Sequence, residues 1–500
     1  MSNRATKYVP LVAALLTLAM HLIANPHYGF FRDELYFIIC GFRPDWGYVD
    51  QPPVVPLLSA GSQIFGTSLF LLRALPALFA AGCVYLTCLL VIELGGGAFA
   101  QVLAAVMTAL MPILNSFGTK VSTDMPGLVL WPLIALLIAR IANGASPRLW
   151  IWAGAAFGLC AEAKYTVFFY GFALLAGLAL TPLRRIIKTP WFAAGIATAA
   201  AIALPSLLWQ AVHGWPFLQM IHNQQLGEIV IHSPPDYVVQ QILITNPILA
   251  TVWIFGLVYA FVRPQLRWIG WTYVVLIACM IAGHAKNYYP GDVYPLLIAS
   301  GALAIEQTAA LYRLRTAIVA AVAVVSMLTL PFVFPMMAEA QLAAAIAAGQ
   351  RVVSLQLQTT RDGNAPITQI FADMHGWPEL AETVAGVYNG LPPSQRSRAA
   401  ILASNFGEAG AIDIYGKPYG LPPVLSGQNN YWEWGTRGYD GSVVVEVNGT
   451  CGPEFRSQRV GVARFYDRWA MPTENEIPIS ICYGLKEPLV QYWPKLKKFI

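Results

Sequence analysis

Two acids stand side by side at Asp33 and Glu34, in Arg32-Asp33-Glu34-Leu35-Tyr36, within a stretch that is otherwise aromatic and apolar. Neighbours on a helix project about 100° apart, so only one of them readily enters a given pocket. That one can act as a general base toward an acceptor hydroxyl. The plainer alternative for Asp33 is a helix-dipole or capping role, because acids favour helix starts. A third acid, Asp124, lies in Lys120-Val121-Ser122-Thr123-Asp124-Met125-Pro126 at the start of an apolar run, where it could cap a helix whose first turn holds the proline. Two such acids brought together could orient a hydroxyl, remove its proton or hold a divalent cation between them. Asp33 and Asp124 are therefore the candidate metal ligands.

The cations are as informative as the acids. Lys164 sits in Cys160-Ala161-Glu162-Ala163-Lys164-Tyr165, inside an apolar stretch. An ionisable group at membrane depth is costly and is a functional candidate by default, with Glu162 as a structural partner instead. Arg73, and Lys286 in His284-Ala285-Lys286-Asn287-Tyr288-Tyr289-Pro290, add two more cations near the ends of apolar runs. A phosphate arriving from the lipid headgroup region needs such charges, because a buried diester must be paired. Snorkelling to the interface is the alternative for each. His213, His222 and His232 are spaced nine and ten apart, poor spacing for a helical metal site, and are expected to pack or hydrogen-bond.

These groups need a scaffold, and composition says what kind. The 500 residues are 57% hydrophobic and only 11% charged, where a soluble domain carries about 25%. The net charge of +5 is small and its basic residues form no stripe, which argues against nucleic acid as a partner. Apolar runs near the roughly 20 residues needed to cross a bilayer recur up to Pro335 and then stop. Candidate spans run approximately over 8–25, 71–94, 98–117, 125–142, 149–163, 165–181, 191–212, 238–262, 268–283, 293–311 and 316–335. The expected fold is thus a polytopic α-helical membrane protein of about eleven transmembrane helices, residues 1–336, followed by a soluble domain, residues 337–500.

With the N-terminus cytoplasmic, alternate loops place Arg140 with Arg148, Arg184 with Arg185 and Lys188, Arg263 with Arg267, and Arg313 with Arg315 inside, as the positive-inside rule requires. An odd number of crossings then leaves residues 337–500 outside. Under this topology the inner loops carry almost only Arg and Lys, whereas the outer loops hold the acids, histidines and aromatics. The first outer loop, 26–70, suits short helices lying on the membrane surface. Five of the seven cysteines, Cys40, Cys83, Cys88, Cys160 and Cys279, fall in or beside apolar segments at spacings that match no metal motif, and are read as packing residues. Cys451 and Cys482 can pair in an oxidising compartment or both stay free. The C-terminal domain reads as mixed α/β, with a helix near Glu379 to Tyr388, strands at Ala399 to Ser404 and Val443 to Val447, and a long ordered loop from Gly416 to Gly438.

Residues 28–73 carry a resemblance: Tyr-Gly-Phe-Phe-Arg-Asp33-Glu34-Leu-Tyr, then Trp-Gly-Tyr-Val-Asp50-Gln51-Pro52-Pro53, then Phe65-Gly66 and Arg73. Continued through Thr123-Asp124, Lys164-Tyr165 and the Lys286-Asn-Tyr-Tyr-Pro loop, it resembles the glycosyltransferase family 39 or protein-mannosyltransferase-like membrane enzymes and is similar to the lipid A aminoarabinose transferases. The resemblance implies a GT-C fold, a polyprenyl-phosphate sugar donor and inversion at the anomeric carbon. By it Asp33 is the base or acceptor-orienting acid, with Glu34 beside it, and Asp124 a second active-site acid. Lys164, Arg73 and Lys286 are the donor-phosphate candidates, and Tyr36, Asp50, Gln51, Tyr288 and Tyr289 the substrate-binding ones. The aminoarabinose transferases carry a lysine before the paired prolines; Gln51 here is one cation fewer.

The resulting expectation is an enzyme of the cell inner membrane, with its C-terminal domain periplasmic. It moves a hexosyl or pentosyl group to a lipid, glycan or protein acceptor, with a divalent cation as the one candidate cofactor. The contrary class is a transporter or flippase of lipid-linked sugars, which places its ionisable residues near the bilayer midplane and often contains inverted repeats. This chain gathers them toward one surface, and no repeat is visible in it. The enzyme reading is preferred on that ground.

Overall fold

The structure is a computed structural model that describes residues 7–227, 229–352 and 365–500, with side chains described outside 350–352. Each apolar run of the first 336 residues forms helix. In chain order the helices are α1 (Val9–Ala24), α2 (Arg32–Gly41), α3 (Val54–Gly61), α4 (Leu69–Glu93), α5 (Ala98–Leu110), α6 (Pro112–Thr119), α7 (Gly127–Ala142) and α8 (Leu149–Ala161). There follow α9 (Val167–Ala179), α10 (Pro190–Val212), α11 (Pro216–Gly227), α12 (Pro234–Ile244), α13 (Pro247–Val262), α14 (Arg267–Ala282), α15 (Tyr294–Gln307) and α16 (Arg315–Thr329). Among the described residues three helices are long and apolar enough to cross a membrane, or up to five if each bent pair is one span, and five further apolar helices have 10–17 residues.

Two expected spans are broken. The 98–117 run bends by 57° between α5 and α6, and the 238–262 run by 112° between α12 and α13. A proline opens the second helix of each pair, Pro112 and Pro247, and proline disfavours helical geometry in the residue before it. Asn246 answers this with a left-handed φ of 74° and caps α13 through its side chain, which accepts the Ile248 N–H at 2.9 Å.

The chain divides into two compact units. One comprises Met1–Pro26, Phe70–Leu208 and Val230–Met336; the other comprises His27–Leu69, Trp209–Ile229 and Met337–Ile500. The second unit thus includes two segments that the sequence reading grouped with the helical body. Both lack a run of spanning length, and they bury their apolar residues with those of 337–500 instead.

In the first unit small residues set helix spacing. A Cβ on Gly256 of α13 would lie 2.4 Å from the Gly301 nitrogen on α15, so the backbones meet there with no side chain between. Trp131 of α7 and Tyr170 of α9 stack at 4.1 Å between ring centroids, and the Tyr170 hydroxyl donates to the Trp131 carbonyl.

The second unit holds a five-stranded sheet of order β2-β1-β3-β5-β4, with β1 (Ala399–Ala403), β2 (Leu425–Ser426), β3 (Val443–Val447), β4 (Phe455–Phe465) and β5 (Ile477–Leu485). β1 runs parallel to β2 and β3, while β5 is antiparallel to β3 and β4. Helices α17 (Glu339–Val352), α18 (Trp377–Asn389) and α19 (Phe406–Tyr415) complete it. The expected helix and both expected strands are present. The 416–438 loop is shorter than expected because it contributes β2 and two short helical turns, Lys417–Tyr419 and Asn429–Glu433. α19 follows β1 directly, capped by Asn405, whose side chain accepts the Glu408 N–H at 3.0 Å. It lies close against α2: a Cβ on Gly410 would be 3.2 Å from the Leu35 backbone.

Cys451 and Cys482 form a disulfide across a sequence separation of 31, and the other five cysteines are free, four of them buried. A loop of that length is worth about 3–4 kcal/mol through the unfolded chain. Reducing the bridge, or Cys451→Ser, is expected to lower the thermal unfolding midpoint of the purified protein; an unchanged midpoint in a reductant titration would show that the bridge contributes nothing.

Candidate active site

The candidate residues fall into two groups, one within each unit. In the second, the acid pair begins α2, and the capping role falls to Glu34. It is fully buried, and its Oε2 accepts the Phe31 N–H at 2.8 Å. The capping alternative weighed for Asp33 thus belongs to its neighbour. Asp33 is left with a carboxylate 36% exposed, its Oδ1 3.8 Å from Arg32 Nε. One turn on, the buried Tyr36 hydroxyl donates to Asp50 Oδ1 at 2.9 Å and lies 3.2 Å from Asn430 Oδ1. Asp50 keeps some residue exposure while its carboxyl is enclosed. Burial raises that carboxyl to about 7 against the Tyr36 hydrogen bond, and the charge of Asp33 adds to the rise. Asp33, Tyr36 and Asp50 therefore form one neighbourhood. Gln51 is 1% exposed, and neither its Nε2 nor its Oε1 has a hydrogen-bond partner among the described residues.

In the first unit the loops joining α6 to α7, α8 to α9 and α14 to α15 meet. Lys164 Nζ lies 2.5 Å from Asp124 Oδ1, with side chains 15% and 6% exposed. The same ammonium stands 4.2 Å from the Tyr289 ring centroid and 5.5 Å from that of Tyr288. Asp124 thus does not cap α7 through its side chain, and Glu162, the partner considered for Lys164, instead faces the Ser206 N–H at 3.4 Å. Lys286 is half-buried, and its carbonyl accepts the Tyr237 hydroxyl at 3.0 Å. Arg73 does not snorkel: it is 1% exposed, and its Nη1 donates to the Asn25 carbonyl at 2.7 Å, while the Asn25 amide bonds the Gly118 carbonyl. The adjacent Phe117 ring packs on Tyr288 at 6.3 Å, which links Arg73 to the tyrosine loop.

One residue of this cluster escaped the sequence reading. Asp292, 4% exposed, interacts electrostatically with both Asp124 and Lys164, and its Oδ1 has no hydrogen-bond partner among the described residues. Gly127 makes room for it, since a Cβ there would sit 2.0 Å from Asp292 Oδ2. The signal was present: an acid at the head of an apolar run meets the same criterion that singled out Lys164. An apolar cavity of about 460 Å³ lies among α7, α8, α9 and α10, lined by Trp150, Phe157, Phe168, Phe172 and Phe192 among others. Phe168 stacks on Tyr165, the neighbour of Lys164.

As candidate metal ligands, Asp33 and Asp124 each face a basic side chain, Arg32 and Lys164. Two of the histidines do as expected: His213 stacks on Trp209, and His232 pairs with Asp236.

Residues 50–209 match the dolichyl-phosphate-mannose-protein mannosyltransferase family. The fold is similar to that of ArnT from Cupriavidus metallidurans bound to undecaprenyl phosphate, with a TM-score of 0.63 at 15% identity over 96% of this chain and 98% of that one. The apo state of the same protein gives the same values. Among curated proteins none matches by sequence. The resemblance drawn from the motifs at 28–73 therefore holds, and the protein has the fold of a multi-pass membrane glycosyltransferase similar to ArnT.

Removing one member of a buried ion pair strands the other and costs about 3–5 kcal/mol. Lys164→Met and Asp124→Asn are each expected to lower the unfolding midpoint in detergent, and the double variant to lose less than the sum. Additive losses would show that the two side chains do not interact.

Proposed function

We propose that the protein is an inverting glycosyltransferase that takes a sugar from a polyprenyl-phosphate donor and passes it to a lipid, glycan or protein acceptor on the outer face of the membrane. The observation that carries this reading is the enclosed Lys164 ammonium, flanked by Asp124, Tyr288 and Tyr289. A polyprenyl phosphate offers that cation its phosphate, while its hydrocarbon chain belongs in the bilayer. The ArnT structure that shares this fold holds undecaprenyl phosphate.

The chemistry follows from the leaving group. A phosphodiester leaves without being protonated, so catalysis asks for positive charge at the phosphate and one carboxylate to take the proton of the acceptor hydroxyl. Lys164 is the leading cation, with Arg73 and Lys286 as further phosphate ligands, and Asp33 is the base. Asp124 and Asp292 hold the ammonium in place. Tyr36, Asp50, Gln51, Tyr288 and Tyr289 line the substrates. A direct displacement of this kind inverts the anomeric centre. The membrane setting we assign is the inner membrane with about eleven crossings, the N-terminus cytoplasmic and the sheet-containing domain periplasmic. The basic clusters at 140–148, 184–188, 263–267 and 313–315 support that orientation, and so does a disulfide at Cys451–Cys482, which suits an oxidising compartment.

The test is transfer by the reconstituted full chain with a panel of polyprenyl-phosphate sugars. Asp33→Asn is expected to lower turnover by about 10²–10⁴-fold while the protein still inserts and folds. Turnover by Asp33→Asn at the wild-type rate would remove Asp33 from the mechanism. Donor crossing vesicles without being consumed would make the protein a transporter.

A further inference from the structure

Two carboxyl groups of the sheet-containing unit are enclosed outside the residues already assigned a role. Glu408 on α19 is 0% exposed and Glu474, in the turn before β5, is 4% exposed. Glu408 has a donor on each oxygen: Oε1 accepts the Asn448 amide at 2.8 Å and Oε2 the Ser404 N–H at 2.9 Å. It is equipped as a carboxylate. Glu474 is not. Its Oε1 accepts the Asn405 amide at 2.9 Å and lies 3.9 Å from Arg32 Nη1, while its Oε2 is buried with no hydrogen-bond partner among the described residues.

The two carboxyls interact with each other, and two adjacent carboxyls out of water do not both ionise at neutral pH. The shared proton belongs on Glu474 Oε2, the oxygen of the four that no donor reaches, from which it can donate to Glu408. Burial raises both groups, Glu408 to about 7 and Glu474 well above the carboxyl range, the latter further because of Glu408. The remaining charged groups facing Glu474 are Arg32 and Asp373.

Arg32 joins this pair to Asp33. Its guanidinium reaches Glu474 Oε1 at 3.9 Å through Nη1 and Asp33 Oδ1 at 3.8 Å through Nε. Its stem fills a space left by Gly407, where a Cβ would sit 2.3 Å from Arg32 Cγ, and its head lies 5.1 Å from the Phe406 ring centroid. Its backbone N–H donates to the Asp373 carbonyl at 3.0 Å, so the residue is anchored while its charge stands between two acids.

We infer that Glu474 is a positioning residue for Asp33: as a neutral acid bonded to Glu408 it leaves the Arg32 guanidinium to Asp33, and on losing its proton it draws Arg32 away. This rests on the reading of Asp33 as the base. Because both carboxyls are raised, the stability they contribute is complete at acid pH and is lost as pH rises through about 7 and beyond. Turnover should fall on the same alkaline side.

The experiment measures kcat and KM against pH for the reconstituted full chain, with whichever polyprenyl-phosphate sugar of the panel turns over, in wild type, Glu474→Gln, Glu408→Gln and Asp33→Asn. Glu474→Gln keeps a neutral donor to Glu408, so its alkaline fall should move up by about one pH unit or more. In Glu408→Gln the new amide donates to Glu474 and favours its charged form, so kcat near neutral pH should drop about tenfold with KM little changed. A merely structural role would not move the two profiles in opposite directions. A wild-type-minus-Glu474→Gln infrared difference spectrum should contain the carbonyl band of a protonated carboxyl at neutral pH. Coincident profiles, shifts in the same direction or a missing band would overturn the inference while Asp33→Asn stays inactive. An active Asp33→Asn would instead sink the reading of Asp33, and the link from Glu474 to catalysis with it.

Discussion

A charge taken out of water must be answered by a partner, and this constraint decides more of the structure than any apolar contact. The Lys164 ammonium is enclosed, so Asp124 must be beside it, 40 residues away in sequence. Arg73 is buried and takes the Asn25 carbonyl, which ties α4 to the end of α1. Asp50 takes the Tyr36 hydroxyl, and Glu408 takes an amide and a backbone N–H. Each pairing fixes which loops can be neighbours. Apolar side chains place the helices in the bilayer without choosing their partners, and these polar pairings supply the choice.

In the helical unit that choice gathers three interhelical loops. Asp124, Lys164 and the Tyr288–Tyr289–Asp292 segment each follow one helix and precede the next, so antiparallel neighbours can bring them to one end. Small residues permit the close approach, as where Gly256 meets Gly301, and prolines break α5 from α6 and α12 from α13. The result is a cation flanked by two acids and two aromatic faces.

The second unit solves a different problem. Here the short helices α2, which carries the acid pair, and α3, which follows the paired prolines, fold with the sheet domain. α19 follows β1 without a long connection, and its glycines at 407 and 410 let α2 lie against it. Arg32 and Tyr36 gain partners from residues some 400 positions away, Glu474 and Asn430. The candidate base is thus seated by a domain that has no apolar run of spanning length.

The helical body could be read from the order of residues alone, because a bilayer demands long apolar runs and each run became helix. Asp33, Asp124 and Lys164 also stood out alone, since an ionisable group in an apolar stretch is anomalous without any knowledge of its neighbours. Two strands, at 399–403 and 443–447, announced themselves by continuous apolar runs. β2, two residues long, and the exposed β4 carried no such signal, because their pairing comes from strands far away in the chain. The same holds for every partnership at the site. Sequence could not tell that Asp124 rather than Glu162 meets Lys164, that Glu34 rather than Asp33 caps α2, or that Asp292 completes the cluster. Composition and periodicity are local properties and determine which segments become elements. Which buried charge answers which is a matter of distance across the fold, and only the tertiary structure decides it.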